Sequence, residues 1–186
     1  MIIIGITGTI GAGKGTIVDY LEKEKGFLHF SVREYLTEEI KRRGLEVNRD
    51  SMTEVANELR SKYSPSYITD ELYKRALYAG MNSVIESIRA PGEIDSLKEK
   101  GNFYLFAVDA DPEIRFERIR KRASETDRVD YETFLANEKR EMNSSDPTKQ
   151  NLQKTISMAD YVFRNEGSID DLFTEVEKVL KKIEAK

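Results

Sequence analysis

The 186-residue sequence has no cysteine, which excludes disulfides and thiolate metal centres and leaves the redox compartment open. It has one histidine, His29, and no pairing of it with carboxylates has metal-ligand spacing. No apolar run reaches the roughly 18 residues that a membrane span needs. The opening run Met1–Ile4 is too short for a signal peptide and lacks its basic lead. The formal net charge of −4 argues against a general nucleic-acid binder, which wants a basic balance or a dense basic arm. There is no internal repeat and no low-complexity linker. What is present is 39% apolar and 34% charged residues, a strongly charged surface over enough apolar material for a core. This length predicts a single domain, 1–186, and a soluble cytoplasmic protein, monomer or homodimer.

The hydrophobic pattern alternates between two periods. Met1–Thr7 is a β-branched run without polar alternation, the signature of a strand buried on both faces of a parallel sheet. A glycine-rich turn follows, then Ile17, Val18 and Leu21 at helical spacing, with Gly26 as the stop. Phe27–Phe30 reads as a second strand, and Ser31 with Glu34 as a capping box. Val32 to Gly80 reads as helical, broken at Gly44 and at Ser64-Pro65. Met81–Ile88, Phe103–Val108 and Asp160–Arg164 read as three more strands. Pro91 and Gly101 bound a helix, and Pro112 starts another through Ile114, Phe116 and Ile119. Lys121 to Gln150 is dominated by charge. Ser168 opens a final helix with Ile169, Leu172, Phe173, Val176, Val179, Leu180 and Ile183 on one face. Strands alternating with helices imply an α/β fold, a doubly wound five-stranded parallel sheet flanked by helices. Two segments lie outside its layers, a helical insert at about 31–80 and a charged stretch at about 121–150.

Between the first strand and the first helix stands Gly8-Thr9-Ile10-Gly11-Ala12-Gly13-Lys14-Gly15-Thr16. Its glycines turn backbone N–H groups inward, and the helix N-terminus adds its positive end, so the loop is an anion nest. Lys14 brings a mobile cation to β- and γ-phosphates. This is a phosphate loop for a nucleoside triphosphate. The hydroxyl that commonly follows the lysine and ligates Mg²⁺ is replaced by Gly15, with Thr16 next.

That variant, G-x-G-K-G-T, resembles the loop of adenylate kinase and its nucleoside monophosphate kinase relatives. The resemblance implies that Thr16 touches the α-phosphate and that Mg²⁺ keeps more of its waters. Glu86-Ser87-Ile88-Arg89 resembles the stretch after the third strand in deoxynucleotide monophosphate kinases and adenylate-kinase-related proteins. Met158 to Ser168 is similar to the fifth-strand ending of dephospho-CoA kinases, and Phe103 to Arg122 fits the same group. No guanine-reading Asn-Lys-x-Asp and no Asp-x-x-Gly switch is present. The resemblance implies a P-loop kinase fold with an acceptor-binding insert, a lid, ATP and Mg²⁺.

Candidate residues follow. Arg89, past a strand's carboxyl end, can grip a phosphate bidentately or pair with Glu86 or Glu93 at the surface. Glu86 stands where the resemblance expects aspartate, for orienting the acceptor or a Mg²⁺-bound water. Arg115, Arg118 and Arg122 share a helix face. Arg118 and Arg122, with Arg128, fit lid arginines that neutralise the transferring group, whereas Arg115 and Arg120 read equally as solvated charge. Ser31, Arg33, Arg49 and Arg60 are candidates for an acceptor pocket, Ser31 being first of all a helix cap. The resemblance places adenine against the backbone near Asn165 and Gly167. His29 reads as structural, and any metal arrives with the nucleotide. The expected activity is transfer of the γ-phosphoryl of ATP to a nucleoside or deoxynucleoside monophosphate. Dephospho-CoA phosphorylation and an ATP-driven switch are the alternatives.

Overall fold

β1 (Ile3–Gly8) is buried at all six positions, so its unalternating run takes the centre of the sheet. The computed structural model describes residues 1–122, 130–142 and 151–185. β1 pairs with β3 (Ser83–Glu86) on one side and with β4 (Phe103–Asp109) on the other. β2 (Leu28–Ser31) and β5 (Tyr161–Arg164) complete an all-parallel sheet in the order β2-β3-β1-β4-β5. Parallel pairing puts every strand's carboxyl end on one edge, where Gly8, Ser31, Glu86, Asp109 and Arg164 come together.

Alternate side chains of each strand feed opposite faces. Ile3, Ile85 and Leu105 pack with α2 (Val32–Arg42), α3 (Arg49–Lys62), α4 (Tyr67–Ala79) and α5 (Pro91–Glu99) through Leu36, Leu59, Leu72 and Ile94. Ile4, Ile6, Val84 and Phe106 pack with α1 (Lys14–Lys25) and α9 (Ile169–Glu184) through Ile17, Leu21, Val176 and Leu180. Each such fully buried side chain is worth roughly 1.5–3 kcal/mol, and these two layers fix the carboxyl edge rigidly. Among the described residues, no helix is long and apolar enough to cross a membrane.

The α/β reading and the five strands stand, with shifted bounds. β3 is shorter than Met81–Ile88. Asn82 precedes it, accepting from Ile2 N–H with its side chain and from Leu28 N–H with its carbonyl. Ser87 ends it by turning to φ 70, which a pleated strand cannot accommodate. The charged stretch carries more structure than its composition predicts. α6 (Pro112–Arg122) and α7 (Tyr131–Met142) share a cluster of Phe116, Tyr131 and Phe134 rings, which helps to dock the helix. α8 (Leu152–Ser157) opens on Asn151, whose side chain accepts from Lys154 N–H.

α9 starts on a reciprocal capping box: Ser168 Oγ accepts from Asp171 N–H, and Asp171 Oδ2 accepts from Ser168 N–H, both at 3.1 Å. Ser168→Ala is therefore expected to cost about 1 kcal/mol. Urea unfolding checks this, with a lowered midpoint and an unchanged slope as the expected result.

Candidate active site

The loop 8–16 spans the short gap from β1 to α1. Gly8 and Gly13 hold φ 139 and φ 99, conformations that side chains resist. Added Cβ atoms would collide, at Gly8 with Val108 O at 2.0 Å and at Gly13 with Asn165 Nδ2 at 2.3 Å. At Gly15 a Cβ would meet nothing within 4 Å, so protein packing does not demand the glycine that replaces the usual hydroxyl. α1 opens without an acidic residue in its first turn and without a side-chain cap, whereas Ser31, Asn48 and Ser168 cap α2, α3 and α9. Uncapped N–H groups and the helix dipole together favour an anion there. Lys14 Nζ donates to Gly8 O at 3.0 Å and Thr9 O at 2.8 Å, which holds the cation over the loop.

Neighbouring strands brace the loop. Thr9 Oγ1 donates to Asp109 Oδ1 at 2.7 Å at the end of β4. Asn165, just past β5, donates its Nδ2–H to Ala12 O at 2.8 Å and its backbone N–H to Asp109 O at 2.9 Å. Asn165 is buried, so this side chain serves the loop, while Gly167 sits beside the Asp171 cap. Arg115 is 2% exposed, which corrects its reading as solvated charge. Its Nε donates to Ala110 O, its Nη1 to Ile10 O, and the guanidinium forks onto Glu138 of α7 at 2.9 and 3.0 Å. Arg120 matches the solvated reading, paired with Glu117 at the surface.

Glu86 ends β3 and meets His29 Nε2 of β2 at 3.1 Å. The His29 hydrogen bond holds the Glu86 carboxyl below its ordinary range against the opposing effect of burial, and the charges of Lys14 and Arg89 add to the lowering. The same bond raises His29, again against burial. Glu86, Lys14 and Arg89 therefore lie within electrostatic reach at one corner of the carboxyl edge.

Arg89 is half-buried in the turn from β3 to α5. Arg60, expected in an acceptor pocket, is instead taken up by an ion pair: its Nη2 donates to Glu93 Oε1 at 3.2 Å, and the two side chains are 5% and 0% exposed. Ser31 is buried and its hydroxyl accepts from Glu34 N–H, a cap as read. Arg33 is exposed on the first turn of α2. Arg118 lies on α6 with Nη1 buried and without a hydrogen-bond partner among the described residues, and Arg122 is exposed at that helix's end. Arg128 lies outside the described residues, as do 123–129 and 143–150 of the charged stretch, and the Arg49 side chain is not described. Sequence reasoning treated Glu93 only as a surface partner for Arg89. Its spacing held a signal, since Pro91 and Glu93 stand at the first and third positions of a helix after Ala90.

Among the described residues, no group of three or more His, Asp or Glu is placed to hold a metal ion. Thr16 in the loop and the Glu86 carboxylate, within electrostatic reach of Lys14, offer hard oxygen donors. These fit Mg²⁺ bound mainly by phosphates and water.

Residues 4–144 match the family described as AAA domain. The chain is similar to a UPF0200 protein of Methanococcus maripaludis strain C6, 32% identical over 190 residues and covering 98% of each chain. Among solved structures it is similar to an uncharacterized protein from Eubacterium ventriosum, with TM-score 0.59, 20% identity and full coverage of both chains. It is also similar to shikimate kinase from Aquifex aeolicus, with TM-score 0.55, 17% identity and 97% coverage of each. At these identities the two structures speak for the fold alone.

The His29–Glu86 pair sets a pH expectation. Raised His29 contributes stability that is complete below its unfolded value of 6.5 and lost as pH rises through the folded pKa. Lowered Glu86 contributes stability that is complete above 4.5 and lost as pH falls through the folded pKa. The pair's contribution is thus complete between those two values. The single histidine gives one imidazole titration by proton NMR, and Glu86→Gln is expected to move its midpoint down. An unmoved midpoint contradicts the pairing.

Proposed function

The chain belongs to the AAA domain family and to the UPF0200 proteins, and from that premise we propose that it is an ATP-dependent phosphotransferase acting on a nucleoside or deoxynucleoside monophosphate. The observation that carries the reading is the convergence of the bare α1 N-terminus, Lys14, Glu86 and Arg89 at the carboxyl edge of β1 and β3. In this reading residues 8–16 receive the triphosphate and Lys14 leaves its carbonyls for the β- and γ-oxygens. Mg²⁺ bound to those phosphates supplies charge neutralisation. An acceptor phosphate oxygen attacks the γ-phosphorus, the bond to the β–γ bridging oxygen breaks, and ADP departs with that electron pair.

Arg89 is assigned the acceptor phosphate, with Arg33 at the opening of α2 as a second cation for it. Arg118 and Arg122, on the helix that covers the loop, are assigned the transferring group. The orphan Nη1 of Arg118 supports that assignment, because a buried donor without a partner is costly unless a ligand completes it. The helices α2–α4 are assigned to acceptor binding, and the charged stretch, with Arg128, to a cover that excludes water from the transfer. A hydroxyl acceptor, as in dephospho-CoA, is the second reading. Its support is the Glu86 carboxylate at the end of β3, within electrostatic reach of Lys14, the residue type that such a base requires.

Incubation with ATP·Mg²⁺ and a panel of monophosphates plus dephospho-CoA, scoring ADP and phosphorylated acceptor separately, tests both readings. A phosphorylated monophosphate is the expected product, and ADP formed equally with every acceptor and no phosphorylated product refutes phosphotransfer. Lys14→Ala is expected to abolish ATP turnover. Arg89→Ala is expected to lower transfer by about 10²-fold while leaving ATP affinity intact, the scale seen when one transition-state donor is lost.

A further inference from the structure

The Arg60–Glu93 pair is an expensive feature for stability alone. A buried ion pair competes poorly with apolar side chains of the same size, and Arg60 Nε is buried without a hydrogen-bond partner among the described residues. What the pair does that apolar side chains cannot is hold backbone. Glu93 Oε2 accepts from the N–H groups of both Arg89 and Ala90, at 2.9 and 3.0 Å. Its other oxygen takes Arg60 from α3. On the far side of the same turn, Arg89 O accepts from Asn151 N–H at 3.0 Å, and Asn151 is the cap that starts α8. Pro65, which follows α3, would lie 3.2 Å from a Cβ on Gly92, so the insert touches this turn a second time. The peptide units flanking Arg89 are thus gripped from α3 on one side and from the segment entering α8 on the other.

We propose that Arg60 and Glu93 are positioning residues, which fix the backbone of Arg89 and couple α3 to the segment that begins at Asn151. A displacement of α3 moves Arg60, the Glu93 carboxylate follows, and the two N–H bonds carry the shift into the Arg89 peptide and so to Asn151. The proposal rests on the phosphotransfer reading only for what Arg89 then does, and the coupling itself is independent of it.

Hydrogen exchange of the full chain tests the coupling. In Arg60→Met, exchange is expected to rise about tenfold in peptides covering Arg89–Ala90 and Asn151–Thr155, with α9 unchanged, as a local opening would give. Because that variant buries Glu93 unpaired, Arg60→Met/Glu93→Gln is measured beside it and is expected to show the same selective rise. Arg60→Lys, which keeps the charge, is expected to restore protection at Asn151. In ATP·Mg²⁺ turnover, Arg60→Met is expected to lower kcat about tenfold without raising KM for ATP, a loss of positioning rather than of nucleotide binding. An exchange increase that is uniform, or confined to α3, overturns the proposal and leaves a stabilising pair only. Absence of turnover in the unmodified protein refutes phosphotransfer, while the exchange pattern still decides the coupling.

Discussion

Everything at the carboxyl edge depends on one constraint: the chain must leave β1 and enter α1 with its N–H groups turned inward and uncapped. Side-chain caps satisfy the N-termini of α2, α3 and α9, whereas α1 has neither such a cap nor an acidic residue in its first turn, which leaves partial positive charge that favours an anion. The geometry that permits this is crowded and uses a positive φ that glycine adopts freely. Gly13 stands against Asn165, and Gly8 against the carbonyl of Val108. The loop therefore holds its shape because neighbouring strands hold it.

That support comes from three directions. Asp109 and Asn165 tie the loop to the ends of β4 and β5. Arg115 reaches across to the carbonyl of Ile10 from a helix that is itself pinned to α7 through Glu138. Glu86 with His29 places an ionised carboxylate near Lys14 without occupying the nest. Just beyond Glu86, Glu93 fixes the turn that carries Arg89. Cations and carboxylates thus fall into two groups. Arg60, Glu93 and Arg115 are buried and paired, holding backbone in place. Lys14, Glu86 and Arg89 lie within electrostatic reach of one another at the carboxyl edge, where the proposed transfer would develop charge.

The phosphate loop and α9 were legible in the sequence because their signals are local, a glycine spacing in one case and a 3.6-residue period in the other. The central strands were legible because a parallel sheet buries both faces. Strand ends were less so: Ser87 turns to positive φ without being glycine or asparagine, and no composition rule marks it. The arginines were the least legible. Arg115 and Arg118 share a helix and a face, yet one is buried because Ile10 and Glu138, distant by 105 and 23 residues, come to meet it. Arg60 finds Glu93 across 33 residues. Such fates are set by tertiary partners, and a single sequence carries no trace of them beyond the cap spacing at Glu93. Helices α2–α4, which the proposal assigns to the acceptor, bear no motif of fixed spacing that would mark its chemistry in the sequence.

The most direct measurement of the central claim is a crystal structure of the chain with a non-hydrolysable ATP analogue and Mg²⁺. The account predicts the triphosphate inside residues 8–16, with Lys14 Nζ moved from Gly8 O and Thr9 O to the β- and γ-oxygens and with the Asn165–Ala12 bond retained. A nucleotide bound elsewhere, or a loop in which Lys14 keeps its two carbonyls while the analogue is present at saturation, would contradict it.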